Sequence, residues 1–184
     1  MVDSMYFQTK KMNNNREVPF EFIRQRHSLT WREVELGIRE QWLRGADAVA
    51  LAMEQVVQGD EGPGMLALAA VLKEDEGDVA ELVSDLVASF PGNSEQDARL
   101  TWMRILLAWV YEMRASFSDP LGIVEQIYAD FGYQDEIRHL VRYNPSEDSN
   151  SELGEDFLLR RWGDYLNGLS EGREGLDLAI QMVP

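Results

Sequence analysis

The sequence predicts an all-α protein, and three observations carry that prediction. Apolar residues recur at helical spacing along most of the chain, and no stretch of useful length alternates apolar and polar residues as a strand would. Glycine and proline clusters at 59–64 and 91–92 separate the helical stretches. Helix-start patterns precede several of these stretches. We therefore expect one globular domain of about seven to nine helices, in which antiparallel helical hairpins pack around a central apolar helix at about 95–116.

The clearest local pattern is a helix start. Thr30 is placed to cap a helix, and Glu33, three residues further on, can reach back to the backbone N–H of the capping residue. Leu29 and Val34 occupy the two positions of a hydrophobic staple. We expect this helix to continue until Gly45, where a glycine would form its C-terminal cap.

The other helices are placed by the same kinds of pattern. Asp119 followed by Pro120 is typical of a cap with proline at the first helical position. The segment 62–64 is expected to be only a turn between helices. Seven further helices are expected at residues 46–57, 65–73, 78–90, 95–116, 121–131, 134–141 and 155–169. Residues 19–26 and 176–183 could each form a short helix.

Composition supports one folded domain. A chain of 184 residues is long enough to bury about 70% of the surface that it exposes when unfolded. Its apolar content of 45% supplies the residues for a core. We expect residues 1–17 to be a flexible N-terminal segment and residues 18–184 to form the domain. An acidic loop is expected at 145–156, which holds five acidic residues and no base.

The cellular compartment is predicted from what the sequence lacks. It has no cysteine, which excludes disulfides and thiolate chemistry and is typical of a reducing compartment. The first residues contain no apolar run of the kind found in signal peptides. The longest apolar stretches, 65–72 and 105–111, fall short of the ~20 residues that a membrane-spanning helix needs. We expect a cytoplasmic protein without membrane contact.

The charge of the chain is strongly negative and unevenly distributed. The net charge is −16, and residues 46–98 hold twelve acidic residues against a single base, Lys73. Such a surface repels nucleic-acid phosphates and anionic lipid, and it attracts a cationic protein. The sequence therefore predicts a basic protein partner and no direct binding to nucleic acid. The alternative is that the excess of acid only keeps the protein soluble.

No catalytic motif is present, so we expect a binding protein without cofactor or metal, not an enzyme. His27 and His139 are the only histidines and lie far apart in sequence, with no zinc-binding spacing. No serine lies in a nucleophile motif, and no glycine-rich phosphate loop follows a strand. His139 lies close to Arg138 and Arg142, which leaves two interpretations, an anion site or an ordinary helix histidine.

Carboxylates at helical spacing are the candidate binding residues. Asp78, Glu81 and Asp85 are spaced to share one helix face. This row could bind a basic partner, hold a divalent cation or form an ordinary solvated face, and the loop pattern of a dedicated calcium site is absent. The predicted partner-binding residues are Asp75, Glu76, Asp78, Glu81, Asp85, Glu147, Asp148 and Glu152.

Three segments resemble a known family. They are Asp119-Pro120-Leu121, Ile127-Tyr128-Ala129-Asp130-Phe131-Gly132-Tyr133 and Leu140-Val141-Arg142-Tyr143-Asn144-Pro145. The chain is similar over about residues 18–169 to a small bacterial family of helical proteins, a domain of unknown function. Some members resemble immunity proteins of contact-dependent growth inhibition or polymorphic toxin systems.

The resemblance implies an immunity protein that binds and occludes a cognate, basic toxin domain such as a nuclease. Charge and the lack of catalytic motifs favour the same function. Two alternatives stay open. One is a helical scaffold or adaptor that binds another protein, and the other is a hydrolase with a cryptic carboxylate or metal site.

Overall fold

The fold is described from a computed structural model of the chain. It describes residues 17–60, 62–72, 77–90, 92–142 and 154–172. Within those ranges the chain is largely helical and contains no β-strand, which confirms the predicted all-α class. The α-helices are α1 (Phe20–Arg24), α2 (Trp31–Arg39), α3 (Gly45–Val57), α4 (Pro63–Ala69), α5 (Val79–Ser89), α6 (Glu95–Glu112), α7 (Pro120–Asp130) and α8 (Glu155–Gly172), and two 3-10 helices span Arg114–Ser116 and Asp135–Leu140.

The chain divides into two compact units. The first unit comprises Met1–Glu21 with Leu29–Ala98, and the second comprises Phe22–Ser28 with Arg99–Pro184. The expectation of a single domain over 18–184 stays a prediction. Three predicted features lie outside the described residues. They are the N-terminal segment apart from Glu17, the greater part of the acidic loop, and the short helix at 176–183.

In the first unit, α2 begins as the sequence predicts. Oγ1 of Thr30 accepts a hydrogen bond from the backbone N–H of Glu33, and a carboxylate oxygen of Glu33 accepts one of 2.8 Å from the N–H of Thr30. The Glu33 carboxylate is almost fully buried, and Nδ2 of Asn93 also donates to it at 2.9 Å. Because Oγ1 of Thr30 donates in turn to Oδ1 of Asn93, the helix start is tied to a loop far away in sequence.

The expected end of α2 at Gly45 is wrong. The helix ends after Arg39, and the chain turns at Gln41, whose φ of 61° lies in the left-handed region. Gly45 instead opens α3, where a Cβ on it would lie 3.5 Å from a methyl group of Val79 in α5. A side chain at this position would make only an ordinary contact with Val79, so the packing of α3 on α5 does not require the glycine. Trp42 is buried outside any helix.

The helices of the first unit pack on α5. It contacts α2, α3 and α4, and α3 also packs along α4. Pro63 is the first residue of α4, so the expectation that 62–64 is only a turn is wrong. Proline suits this position because its missing N–H would have no partner in the first helical turn. Gly64 approaches α5 so closely that a Cβ would lie 3.1 Å from Cδ2 of Leu86.

The part of α6 from Arg99 onwards belongs to the second unit, and most of it is buried, as its apolar sequence predicts. Its buried side chains include Trp102, Met103, Ile105, Leu107 and Val110. The helix ends at Glu112, and a 3-10 turn takes the place of its expected last residues.

The segment before α8 forms a 3-10 helix, not the expected α-helix at 134–141. Tyr133 has a φ of 59°, so the backbone leaves helical geometry immediately before the segment, and only six residues follow in it. Short segments commonly adopt the tighter 3-10 geometry. This 3-10 helix, α7 and α8 contact one another, and Asp119 caps α7 by accepting a 2.9 Å hydrogen bond from the N–H of Gly122.

Candidate partner-binding surface

The predicted row of carboxylates is present on α5. Its apolar residues Val79, Val83, Leu86 and Val87 face the interior of the first unit, so the opposite face is left to solvent. Asp78, Glu81 and Asp85 are exposed on that side. We call these three residues the α5 acidic face. Their side-chain carboxylates form no hydrogen bond or ion pair with the described part of the chain, so they can meet a cation from another molecule.

The other predicted binding residues cannot be placed in the same way. Asp75 and Glu76 precede α5, and Glu147, Asp148 and Glu152 belong to the expected acidic loop. All five lie outside the described residues. The α5 acidic face is therefore the part of the predicted site that the structure defines.

A second feature of the first unit is an apolar stripe on α3. Ala46, Val49, Met53 and Val57 follow one another at three- or four-residue spacing and share one face of the helix. Val57 is 88% exposed and Met53 is 54% exposed. We call these four residues the α3 stripe. Leu66 of α4, the helix packed along α3, is also exposed.

The sequence of α3 contains a signal for this stripe, which is a shortage of charged residues. Across the 13 residues of α3, the charged residues are Asp47 and Glu54. Asp47 is buried and paired with Arg44, whose guanidinium donates to it at 2.9 and 3.1 Å. A surface helix normally carries charged residues on its outer face. The shortage of charge on α3 thus indicates an apolar surface.

The second unit contains a polar cluster that sequence reasoning missed, in which Arg104 is buried and Glu136 and Tyr165 are partly buried. Arg104 in α6 donates two hydrogen bonds to the carboxylate of Glu136, at 2.8 and 2.7 Å, and the hydroxyl of Tyr165 donates a third at 2.7 Å. Burial raises the pKa of the Tyr165 hydroxyl, and the adjacent carboxylate raises it further. Burial opposes the charge on Arg104, but the bonds to Glu136 outweigh it and raise the pKa of the guanidinium. The cluster is satisfied internally, so its role is to hold three elements together.

Both arginines that flank His139 in sequence are paired with carboxylates, and Nη1 of Arg138 lies 3.9 Å from a carboxylate oxygen of Asp135. The guanidinium of Arg142 donates hydrogen bonds to the carboxylates of Glu125 and Asp119, which raise its pKa, and Glu155 lies 3.6 Å away. Burial lowers the pKa of His139, and the nearby Arg161 lowers it further. Its ring packs edge to face on an aromatic neighbour in α8. The structure therefore supports an ordinary packed histidine.

A metal site and a membrane-spanning helix are both absent from the described part of the chain. No group of three or more histidine, aspartate or glutamate side chains is arranged there to hold a metal ion. Nor does any helix in those ranges combine the length and the apolar character that crossing a bilayer requires.

Most of the chain matches the model of a bacterial protein family. Residues 20–169 match the model of the family described as "Uncharacterized protein conserved in bacteria (DUF2247)". The chain belongs to this family. The match runs from α1 into α8, so it includes both the α5 acidic face and the α3 stripe. No curated protein and no solved structure matches the sequence.

Proposed function

We propose that this DUF2247 member is a cytoplasmic immunity protein that binds and occludes a cognate toxin domain with a cationic surface, such as a nuclease. The observation that carries the proposal is the α5 acidic face. Its three exposed carboxylates belong to the stretch 46–98, which contains twelve acidic residues and only one basic residue, a lysine. Carboxylates without an internal cation favour a basic partner.

The mechanism is occlusion without chemistry. A toxin that cleaves nucleic acid must bind phosphates, and it does so with lysine and arginine side chains. Glu81 and Asp85, one helical turn apart, present negative charges from a fixed helix and can occupy such a surface in place of phosphates. Opposite charge also speeds association, so we expect rapid binding that weakens as salt rises.

The main alternative is an adaptor or scaffold that binds another protein. The exposed apolar side chains of α3 favour protein binding in general, and they do not by themselves require a toxin. The neighbouring gene separates the two functions, because an immunity protein is expected beside the gene of its toxin and an adaptor is not. A hydrolase with a metal site has no supporting observation among the described residues.

The test is co-expression of the chain with the toxin domain encoded beside it, followed by binding kinetics at rising salt. We expect a complex at low ionic strength. Glu81→Lys with Asp85→Lys should slow association about tenfold or more, because it reverses two charges at the contact. The matched control is Asp135→Lys with Asp164→Lys, which makes the same charge change at exposed positions of the second unit.

Two outcomes would count against the proposal. Absence of a complex at low ionic strength would contradict occlusion altogether. Equal slowing by the two double variants would mean that only the total charge matters and that the α5 acidic face is not the contact. A cell-survival assay with the active toxin domain adds an independent readout, since a protective chain must keep the cells alive.

A further inference from the structure

The α3 stripe exposes apolar side chains to solvent on the surface of the first unit. Ala46, Met53 and Val57 are exposed and Val49 is half-buried, and contact of this apolar surface with water costs free energy. Val57 is almost completely exposed, although valine is normally a core residue. Contiguous exposed apolar surface commonly marks a protein interface, and exposed Leu66 on the adjoining α4 extends this surface.

We infer that the α3 stripe is the apolar centre of the partner interface and that its occupant is an amphipathic helix, apolar on one face and rich in lysine and arginine on the other. This inference rests on the proposed function and states which part of a basic partner binds. Helices bind apolar surfaces through side chains at i, i+3, i+4 and i+7. The spacing of Val49, Met53 and Val57 suits such a helix.

The negative charge of the first unit indicates which kind of partner can bind the α3 stripe. The stripe lies in the stretch 46–98, whose only base is Lys73. A second copy of this chain would bring the same excess of negative charge to the contact and would be repelled. An anionic lipid surface would be repelled for the same reason. A helix with a cationic outer face gains from the same field, so charge complementarity favours it.

The two surfaces then have different roles in binding. Exposed carboxylates such as Glu81 raise the association rate, and this effect is reduced by salt. Apolar side chains that become fully buried, as Met53 and Val57 would, mainly slow dissociation and are little affected by salt. Substitutions on α3 and on α5 should therefore change different rate constants.

The test uses two synthetic helical peptides of equal charge. One carries leucine at i, i+3, i+4 and i+7 with lysine at the other positions, and the second has alanine in place of each leucine. Binding to the full-length chain is measured by calorimetry at low and at physiological salt. We expect the leucine peptide to bind at both, and Met53→Ser with Val57→Ser to weaken it about tenfold or more.

The matched control is Met113→Ser, which changes an exposed methionine of the second unit. It should leave the affinity unchanged. Met53 and Val57 are more than half exposed, so the serine variant should keep the melting temperature of the parent chain. If the serine variant has a lower melting temperature, Met53→Gln with Val57→Gln is used in its place, because glutamine is a better helix former than serine.

Three results would overturn the inference, and each differs from failure of the proposed function. If both peptides bind equally well, and bind the serine variant as tightly as the parent chain, charge alone attracts them. The stripe would then not be part of the interface, although a basic partner would still be supported. If the serine variant binds the toxin domain as tightly as the parent chain does, the stripe is not part of the interface. Sedimentation that finds a dimer abolished by Met53→Ser with Val57→Ser would assign the stripe to a second copy. Failure of the proposed function would instead appear as no toxin complex with the unaltered chain.

Discussion

Arg104 donates both of its hydrogen bonds to one residue, Glu136, across 32 positions of sequence. The side chain of Arg104 is only 9% exposed, so its charge depends on that carboxylate for compensation. Glu136→Leu should destabilise the protein by about 3 kcal/mol, because it leaves a buried guanidinium unpaired. Urea denaturation measures the change, and Asp135→Leu at the adjacent exposed position is the control, expected to cost less than about 0.5 kcal/mol.

Removing both charges should be less harmful than removing one. Arg104→Met combined with Glu136→Leu replaces the pair by apolar side chains and avoids the unpaired charge. We expect this double variant to be more stable than Glu136→Leu alone. A double variant as unstable as the single one would show that packing, and not the unpaired charge, causes the loss.

The Glu33 carboxylate joins a helix cap to a distant loop. Removing it should therefore destabilise the protein more than removing an ordinary helix cap would. Glu33→Ala removes hydrogen bonds from the N–H of Thr30 and from Nδ2 of Asn93. The expected destabilisation is about 2 kcal/mol, since a cap contributes about 1 kcal/mol and the partly buried amide of Asn93 loses its acceptor. Thermal unfolding measures it. Glu35→Ala, in the same helix but partly exposed, should cost much less, and an equal effect would contradict this role for Glu33.

Two glycines of α8 should respond to alanine in opposite directions. A Cβ on Gly163 would lie 2.6 Å from the hydroxyl oxygen of Tyr111, whereas nothing lies within 4 Å of a Cβ on Gly168. Gly163→Ala should destabilise by about 1–3 kcal/mol through overpacking. Gly168→Ala should stabilise by about 0.5–1 kcal/mol because alanine favours the helix.

A second variant identifies the cause of the Gly163 effect. Tyr111→Phe removes the hydroxyl that the new Cβ would meet, so adding it to Gly163→Ala should recover part of the lost stability. Chemical denaturation of the four proteins forms a double-mutant cycle. Additive losses would show that the contact with the Tyr111 hydroxyl is not the source of the strain.

The ion pair of Asp119 with Arg142 should make stability depend on acid pH. Burial raises the pKa of Asp119, but hydrogen bonds from Arg142 and the N–H of Gly122 outweigh it, so the folded pKa lies below the ordinary 3.8. A lowered folded pKa gives stability that is present above pH 3.8 and lost as the pH falls through the folded value. Asp119→Asn keeps a cap oxygen but loses the charge, which should cost less than about 1 kcal/mol near neutral pH because the site is partly exposed.

The measurement is denaturation as a function of pH. The difference in free energy of unfolding between the parent chain and Asp119→Asn should be constant above about pH 5 and should shrink below pH 3.8. Asp135→Asn, at a highly exposed carboxylate, is the control. A difference that stays constant down to acid pH would contradict the assigned cause.

Local patterns predicted those features whose cause is local. The capping box needs only Thr30 and Glu33 at the right spacing, and the cap at Asp119 needs only the proline after it. The spacing of Glu81 and Asp85 placed both on one exposed face. In each case the interacting atoms lie within about two helical turns, so the sequence contains the whole interaction.

Features that depend on distant residues could not be predicted in this way. Nothing near Arg104 in sequence indicates its partner Glu136, because tertiary packing brings them together. Gly45 was expected to end a helix, since its local sequence fits a cap, yet it begins one where α3 meets Val79. The α3 stripe was missed because apolar residues in a helix are ordinarily buried, and exposure is a property of the packed molecule.

The α3 stripe also has a consequence for how the protein behaves in concentrated solution. The net charge of −16 keeps copies of the chain apart at neutral pH, and it falls to zero near the isoelectric point of about 4.4. Exposed Met53 and Val57 are then no longer protected by repulsion between molecules. The colloidal stability of the protein therefore depends on the acidic residues that we propose attract its partner.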